Sequence, residues 1–242
     1  MKILFLIVAR QGSKGVPNKN IRELCGIPLF AFKAISALKS DYCSRLIMST
    51  DSEVIGNLAK KYNVEVPFIR PDYLATDTAS SIDVVLHAMD WIEVHDNQRY
   101  DALALLEPSS PFLTYFDINN AVRLYEEKHA ISILGVKETE VSTSFIAEIG
   151  EDLSMKKHYE KVLALSKLRR QDFNKEYTMN GAIYLCDWEY LKKKKSFHSE
   201  KTYAYIMPSE RSIEIDNIQD YNYASYLITS NIIDIRFWNS ED

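Results

Sequence analysis

Residues 3–8, ILFLIV, form an unbroken apolar run that empties into a loop, ARQGSKGVPNKN at 9–20, carrying Arg10, Lys14, Lys19 and two glycines. A short run rich in branched residues and without polar alternation predicts a strand buried on both faces. Helices must then cover both faces, which narrows the chain to an α/β fold with ligands held beyond the carboxyl ends of its strands. The same character returns at 45–49, in ALALLE at 102–107, in AISILGV at 130–136 and in GAIYLCD at 181–187. Between these runs the apolar spacing turns helical. Phe30, Ala34, Ala37 and Leu38 mark one face, and Ile55, Leu58, Ala59 and Tyr62 another, with Asp51 or Ser52 as its N-cap. SSIDVVLHAMDWIEV at 80–94 reads as a third helix.

The alternation holds over roughly the first 135 residues and predicts a mostly parallel, doubly wound sheet. A chain of 242 residues with 46% hydrophobic content supports one domain over 1–242 and leaves no room for a second large one. From about 138 to 178 short alternating pieces mix with charge, and an excursion of that length is expected to be functional or interfacial. LKKKKS at 191–196 reads as a solvated helix end. A net charge of -5, from 29 basic and 34 acidic residues, argues against a general polyanion binder, so no nucleic-acid partner is expected and any basic site is local. The first apolar run is too short for a membrane span or a signal-peptide core, so no membrane partner is expected. Cys25, Cys43 and Cys186 are odd in number and form no C-x-x-C, which disfavours a disulfide framework or a zinc site and fits a reducing cytoplasm.

The loop after the first strand is the first candidate site. Backbone N–H groups near Gly12 and Gly15 can approach a phosphate closely, and Arg10, Lys14 and Lys19 can add charge-assisted bonds to the same oxygens. The plain alternative is a glycine turn with surface cations. Neither G-x-x-x-x-G-K-[ST] nor G-x-G-x-x-G is present. A second candidate is SIEIDN at 212–217, where an extended backbone would put Glu214 and Asp216 on one face. Two adjacent carboxylates repel unless a cation lies between them, and a hard ion shared with substrate phosphates suits such a pair; the plain alternative is an acidic edge strand. The five histidines show no H-E-x-x-H, and no G-x-S-x-G elbow supports a serine hydrolase.

Taken in order along the chain, ARQGSKGVPNKN, STDS, RPDYLATDTASS, EPSSP, NGAIY and SIEID resemble the motifs of the acylneuraminate cytidylyltransferases, the CMP-sialic acid synthetases and their relatives for other nine-carbon 2-keto sugar acids. The resemblance runs over nearly the whole chain. It implies a Rossmann-like nucleotidyltransferase fold with an inserted dimerisation arm at 138–178, and a reaction in which CTP and a sugar acid give CMP-sugar and pyrophosphate. It implies that Arg10, Ser13, Lys14 and Lys19 meet the triphosphate, Asn20 the ribose, and Arg70 with Asp77, Ser80 and Ser81 the cytidine. It implies Mg2+ or Mn2+ on Glu214 and Asp216, with Arg10, Lys19 and Asp216 in catalytic roles. Glu107, Ser109 and Asn180 match sugar-contacting positions, Arg170 the position that holds the sugar carboxylate, and Phe197 the position through which a partner subunit reaches the neighbouring site. A homodimer is therefore expected.

Departures from the family pattern gather on the sugar side. Glu107-Pro-Ser-Ser-Pro-Phe-Leu113 stands where the family commonly reads Q-P-T-S-P-L-R, and Glu214 stands where Asp is usual. Glu107 either favours a sugar with an amino or amidino substituent or meets a Lys or Arg of the chain itself, because a buried carboxylate needs a partner. A CMP-Kdo-type or other sugar nucleotidyltransferase, or a CTP-binding protein without turnover, are the competing readings.

Overall fold

The computed structural model describes residues 1–12, 15–76, 78–163 and 174–239. Strand β1 (Ile3–Val8) runs into the glycine loop and a 3-10 turn at Lys19–Ile21. A two-residue hairpin, β2 (Glu23–Leu24) with β3 (Ile27–Pro28), leads to α1 (Leu29–Leu38) and β4 (Cys43–Ser49). Next come α2 (Glu53–Lys61), α3 (Ser81–Trp91), β5 (Ala102–Leu106), α4 (Tyr115–Glu127) and β6 (Ser132–Glu138). The chain ends through α5 (Lys156–Leu163), β7 (Tyr177–Asp187), α6 (Trp188–Lys194), β8 (Thr202–Ile206) and α7 (Ile218–Thr229).

Six strands form one sheet in the order β4-β1-β5-β7-β6-β8. β1 pairs in parallel with both β4 and β5, and β6 with β8, while β7 runs antiparallel to its neighbours β5 and β6. The expected mostly parallel sheet is present, with β7 as its one reversed strand. Alternate residues of β1 serve opposite cores. Ile3, Phe5 and Ile7 pack with α1, α2, α4 and α7 residues, and Leu4 and Leu6 with Val85, Ala88, Met89, Trp188 and Leu191. Burial on both faces is what the unbroken apolar run required.

Local signals decide several element ends. Ser52, not Asp51, caps α2 by accepting from Ile55 N; Asp51 instead accepts from Gln11 N at 2.8 Å and so ties down the glycine loop. Leu38, expected on the buried face of α1, is 44% exposed because the helix ends there. Lys192, expected in a solvated helix end, reaches Asp90 and Glu93. At the base of the excursion between β6 and β7, Glu138 pairs with Tyr177, and Thr139 N donates to Glu176 O at 2.9 Å.

Beyond β8 the chain returns to the site through Arg211. Asp117, at the start of α4, accepts from Arg211, from Thr114 N at 2.9 Å, from Thr114 Oγ1 at 2.6 Å and from Tyr205 Oη at 2.9 Å. Burial pushes the Asp117 carboxyl up, but the bonds from Arg211 and Thr114 outweigh it and hold it below its ordinary value of 3.8. A carboxyl lowered in this way stabilises the fold above pH 3.8, and that contribution fades as pH falls through the folded-state value. Asp117→Asn is therefore expected to cost about 3 kcal/mol at pH 7. The melting-temperature gap from wild type, followed by calorimetry, should narrow once the pH drops below 3.8.

Candidate active site

β4 lies on one side of β1 and β5 on the other, so the chain reverses its winding direction at β1. Crevices at such switch points, beyond the carboxyl ends of the strands, are where open α/β sheets bind ligands. A cavity of about 410 Å3 opens there, lined by Val8 at the end of β1 and Arg10 after it, by Leu105 at the end of β5 and Glu107, Pro108 and Ser109 after it, and by Gly15, Lys19, Asn20, Arg70, Ser81 and Asp216 among others.

Three segments distant in sequence are fastened together around it. A Cβ on Gly15 would lie 1.9 Å from the carbonyl oxygen of Asp216, so the loop and the acidic segment meet backbone to backbone and only glycine fits. Lys19 Nζ donates to Ile215 O at 2.8 Å and to Asp216 Oδ1 at 3.1 Å. Ile215 N donates to Ser109 O at 2.8 Å, which joins the acidic segment to the loop after β5. Residues 212–216 are thus held by these bonds and form no strand of the sheet.

Arg70 forms the opposite wall. Its side chain is 2% exposed, its Nη2 lies 3.7 Å from Asp51 Oδ1, too far for a hydrogen bond, and its Nε and Nη2 have no hydrogen-bond partner. Burial pulls its pKa down, Asp51 opposes this and nearby Arg10 adds to it. A buried guanidinium with unsatisfied N–H groups beside a cavity is a site prepared for a polar or anionic ligand group.

The acids are under strain of the opposite sign. Glu107 Oε2 and Glu214 Oε1 lie 3.0 and 2.6 Å from where a Cβ on Gly181 would be, and Gly181 has φ +64°, a conformation that also favours glycine. Burial raises the pKa of both carboxyls. Glu214 adds to the rise at Glu107 and Asp216 to the rise at Glu214, while Lys33 and Lys19 oppose it at Glu107. Asp216 is exposed at the cavity. No cluster of three or more metal-ligating side chains occurs among the described residues. Glu214 with Asp216 fits a hard cation that takes its remaining oxygens from a phosphate, which is how magnesium commonly binds.

A family model described as Cytidylyltransferase matches residues 4–223. The chain belongs to the cytidylyltransferase family. It is 35% identical over 225 residues to the N-acylneuraminate cytidylyltransferase of Escherichia coli O18:K1:H7, a match that covers 92% of this chain but 51% of that one, so the chain spans about half the length of this relative. It is 33% identical to the CMP-N,N'-diacetyllegionaminic acid synthase of Legionella pneumophila, over 96% of this chain and 98% of that one. It is 30% identical to a pseudaminic acid cytidylyltransferase of Campylobacter jejuni, over 96% and 98%. Among solved structures, a CMP:2-keto-3-deoxy-manno-octonic acid synthetase complexed with CTP superposes with a TM-score of 0.69 at 12% identity, covering 96% of this chain and 100% of that one. At that identity the likeness speaks for the fold.

The residues expected of a cytidylyltransferase divide into two groups here. Arg10, Lys19, Asn20, Arg70, Ser81, Glu107, Ser109 and Asp216 all line the cavity. Asn20 is largely buried and donates from Nδ2 to Arg10 O at 2.9 Å, fixing the loop. Ser80 caps α3 and hydrogen-bonds Asp83 rather than lining the cavity. Glu214 is half-buried beside it. Asn180 is fully buried behind it, its Nδ2 donating to Ser212 Oγ at 2.9 Å and its Oδ1 accepting from Ala182 N, so its side chain stabilises the irregular turn of β7 and the segment that carries Glu214. Phe197, just after α6, is partly buried and packs against the edge of the second core, its ring 5.6 Å from that of Tyr184. Ser13, Lys14, Asp77 and Arg170 lie outside the described residues. Sequence reasoning missed Lys33, a fully buried lysine on α1 whose Nζ donates to Ala182 O at 2.8 Å. Burial pulls its pKa down to about 7 against the pull of Glu107, Asp117 and Glu214. Its one signal was a charge in the middle of an apolar helical face.

Arg70→Met tests whether the buried guanidinium serves the ligand rather than the fold. Removing an incompletely paired buried charge often leaves stability unchanged or raises it. The variant is expected to melt no lower than wild type without ligand and to lose most of the thermal shift that CTP gives wild type, both read by differential scanning fluorimetry.

Proposed function

We propose that this chain is a CMP-nonulosonate synthetase, which transfers CMP from CTP to a nine-carbon 2-keto sugar acid and releases pyrophosphate. The observation that carries the reading is one cavity at the switch point lined by Arg10, Lys19, Arg70, Glu107 and Asp216, with Lys19 bonded to Asp216, Arg70 on the opposite wall and Glu214 beside Glu107. Cations suit a triphosphate and carboxylates suit a sugar acid's hydroxyls and a bridging metal ion. Relatives named for N-acylneuraminate, legionaminate and pseudaminate support the substrate class.

In this reading the hydroxyl on C2 of the keto acid attacks the α-phosphorus of CTP, and pyrophosphate leaves from the opposite side. Arg10 and Lys19 offset the charge that grows on the leaving oxygens, so the protein's part is mainly alignment and electrostatics. Glu214 and Asp216 would hold Mg2+ or Mn2+, which would supply further neutralisation of phosphate charge. The proton of the attacking hydroxyl passes to this carboxylate pair or to water. Arg70 and Ser81 serve the cytidine end, with Ser80 capping the helix that carries Ser81; Ser13, Lys14 and Asn20 serve the phosphates and ribose; Ser109 and Arg170 serve the sugar, with Asn180 supporting that side from behind.

Pyrophosphate release with CTP, Mg2+ and a panel of N-acetylneuraminate, legionaminate, pseudaminate and Kdo tests the reaction. One nonulosonate is expected to turn over, and Asp216→Asn should lower its kcat by about a hundredfold or more. Turnover of Kdo alone would move the chain to the neighbouring specificity. A CTP-induced thermal shift without turnover of any panel member would make it a binder.

We further propose that residues 1–242 act as one nucleotidyltransferase domain that dimerises through the 138–178 arm, in the cytoplasm, where the free thiols of Cys25, Cys43 and Cys186 stay reduced. Val141, Ile146, Ile149, Leu153, Met155 and Tyr159 on that arm are 48–80% exposed, an apolar surface a second subunit would cover. No helix among the described residues is long and apolar enough to cross a membrane. Light scattering coupled to gel filtration should give twice the 27.9 kDa chain mass. Ile149→Asp with Leu153→Asp should give a folded monomer.

A further inference from the structure

Lys33 sits where α1 faces the core. It is 0% exposed, and its Nζ donates to Ala182 O, the residue after Gly181, at 2.8 Å. A buried ammonium with one carbonyl partner needs compensating charge. Of the three carboxylates that supply it, Asp117 is already engaged by Arg211, Thr114 and Tyr205. Of the lysines that counter the rise at Glu214, Lys137 acts most strongly, ahead of Lys19 and Lys33. At Glu107 Lys33 acts most strongly, ahead of Lys19. The connection is also mechanical. Lys33 grips the turn of β7 at Ala182, and the preceding Gly181 backs directly onto Glu107 Oε2 and Glu214 Oε1.

We propose that Lys33 is a positioning residue for the sugar-acid half of the reaction: its buried charge is the internal partner of Glu107, so that Glu107 accepts hydrogen bonds from neutral hydroxyls and a cationic substituent on the sugar is not required. The proposal rests on the nonulosonate reading for its substrate, but not for the pairing. A carboxylate with a partner inside the fold keeps its acceptor oxygens for the cavity, whereas one without would select a cation from solution.

A double-mutant cycle tests the pairing. Wild type, Lys33→Met, Glu107→Gln and the double variant are compared for kcat and KM toward the sugar acid, for KM toward CTP, and for melting temperature. Lys33→Met alone is expected to lower kcat/KM for the sugar acid by about tenfold or more while KM for CTP changes less than about twofold. In the Glu107→Gln background the same change should cost less than about threefold, because the carboxylate that needed the cation is gone. Equal costs in both backgrounds, or a double variant that fails to fold when Glu107→Gln folds, would overturn the pairing. A separate measurement avoids Lys33 variants. The ratio of kcat/KM for a neutral and an amine-bearing sugar acid should be the same in wild type and Glu107→Gln, and a tenfold shift toward the neutral sugar in Glu107→Gln would overturn the specificity claim. If wild type turns over no sugar acid, the functional reading fails, and the melting temperatures of the four proteins still decide whether Lys33 and Glu107 are coupled.

Discussion

Everything at this site depends on a backbone contact. Gly15, in the loop after β1, lies so close to the carbonyl of Asp216 that no side chain fits between them. The contact brings together parts of the chain about 200 residues apart, and Lys19 and Ser109 then fasten the acidic segment with bonds to the main chain of Ile215. Because the frame is built largely from backbone groups, the carboxylates of Glu107 and Glu214 are not used up in holding it together. Such sites are more precise than loops anchored by side chains, since main-chain bonds fix position without taking up the groups the chemistry needs. The outer support is polar as well. Asp117 and Arg211 brace the entry to the acidic segment, and Asn180 braces its start through Ser212.

Much of the fold was legible because strands covered on both sides leave a plain mark. β1, β5 and the buried stretches of β4 and β6 show no polar alternation, and each was visible as a run. β8 was not, because it is an edge strand with no fully buried residue, TYAYI, whose pattern blends into its surroundings. The reversal of β7 could not be read either, since direction is set by the length and path of the excursion before it and not by the residues of the strand. Trp238 illustrates a third limit. It is 1% exposed, packs on Phe32 and Phe112 and donates from Nε1 to Ser36 Oγ, yet nothing in its local sequence distinguishes it from a tail residue.

At the site the legible residues were those in loops. Arg10 and Lys19 stood out because polar residues gathered beyond an apolar strand have few structural reasons to be there, Asp216 because it alternates with Glu214 in one segment, and Arg70 through the resemblance of its motif. Asn180 was legible as a motif but not in its role, because an amide on a strand gives no sign of which face it meets; it turns inward and holds the bulge. Lys33 was hidden for the opposite reason. A lysine in a helix is ordinarily solvated, and only the packing of α1 against β7 shows that this one cannot be.

The charges around the cavity are arranged in excess of what the fold alone would require. Arg70 has N–H groups with no acceptor, and Glu107 and Glu214 are pushed upward by burial and by neighbouring acids. Each of these features costs stability in the empty protein, and each is relieved by a ligand that carries negative charge to the arginine side and a cation or hydroxyl donors to the carboxylate side. A nucleotide triphosphate with its metal ion and a polyhydroxylated acid together meet those requirements. In the proposed reading the nucleotide and its metal ion would answer to Arg70 and to Glu214 with Asp216, which leaves Glu107 for the hydroxyl donors of the sugar acid. The electrostatics therefore favour joint occupancy, which brings the attacking hydroxyl and the α-phosphorus into one enclosure before either reacts.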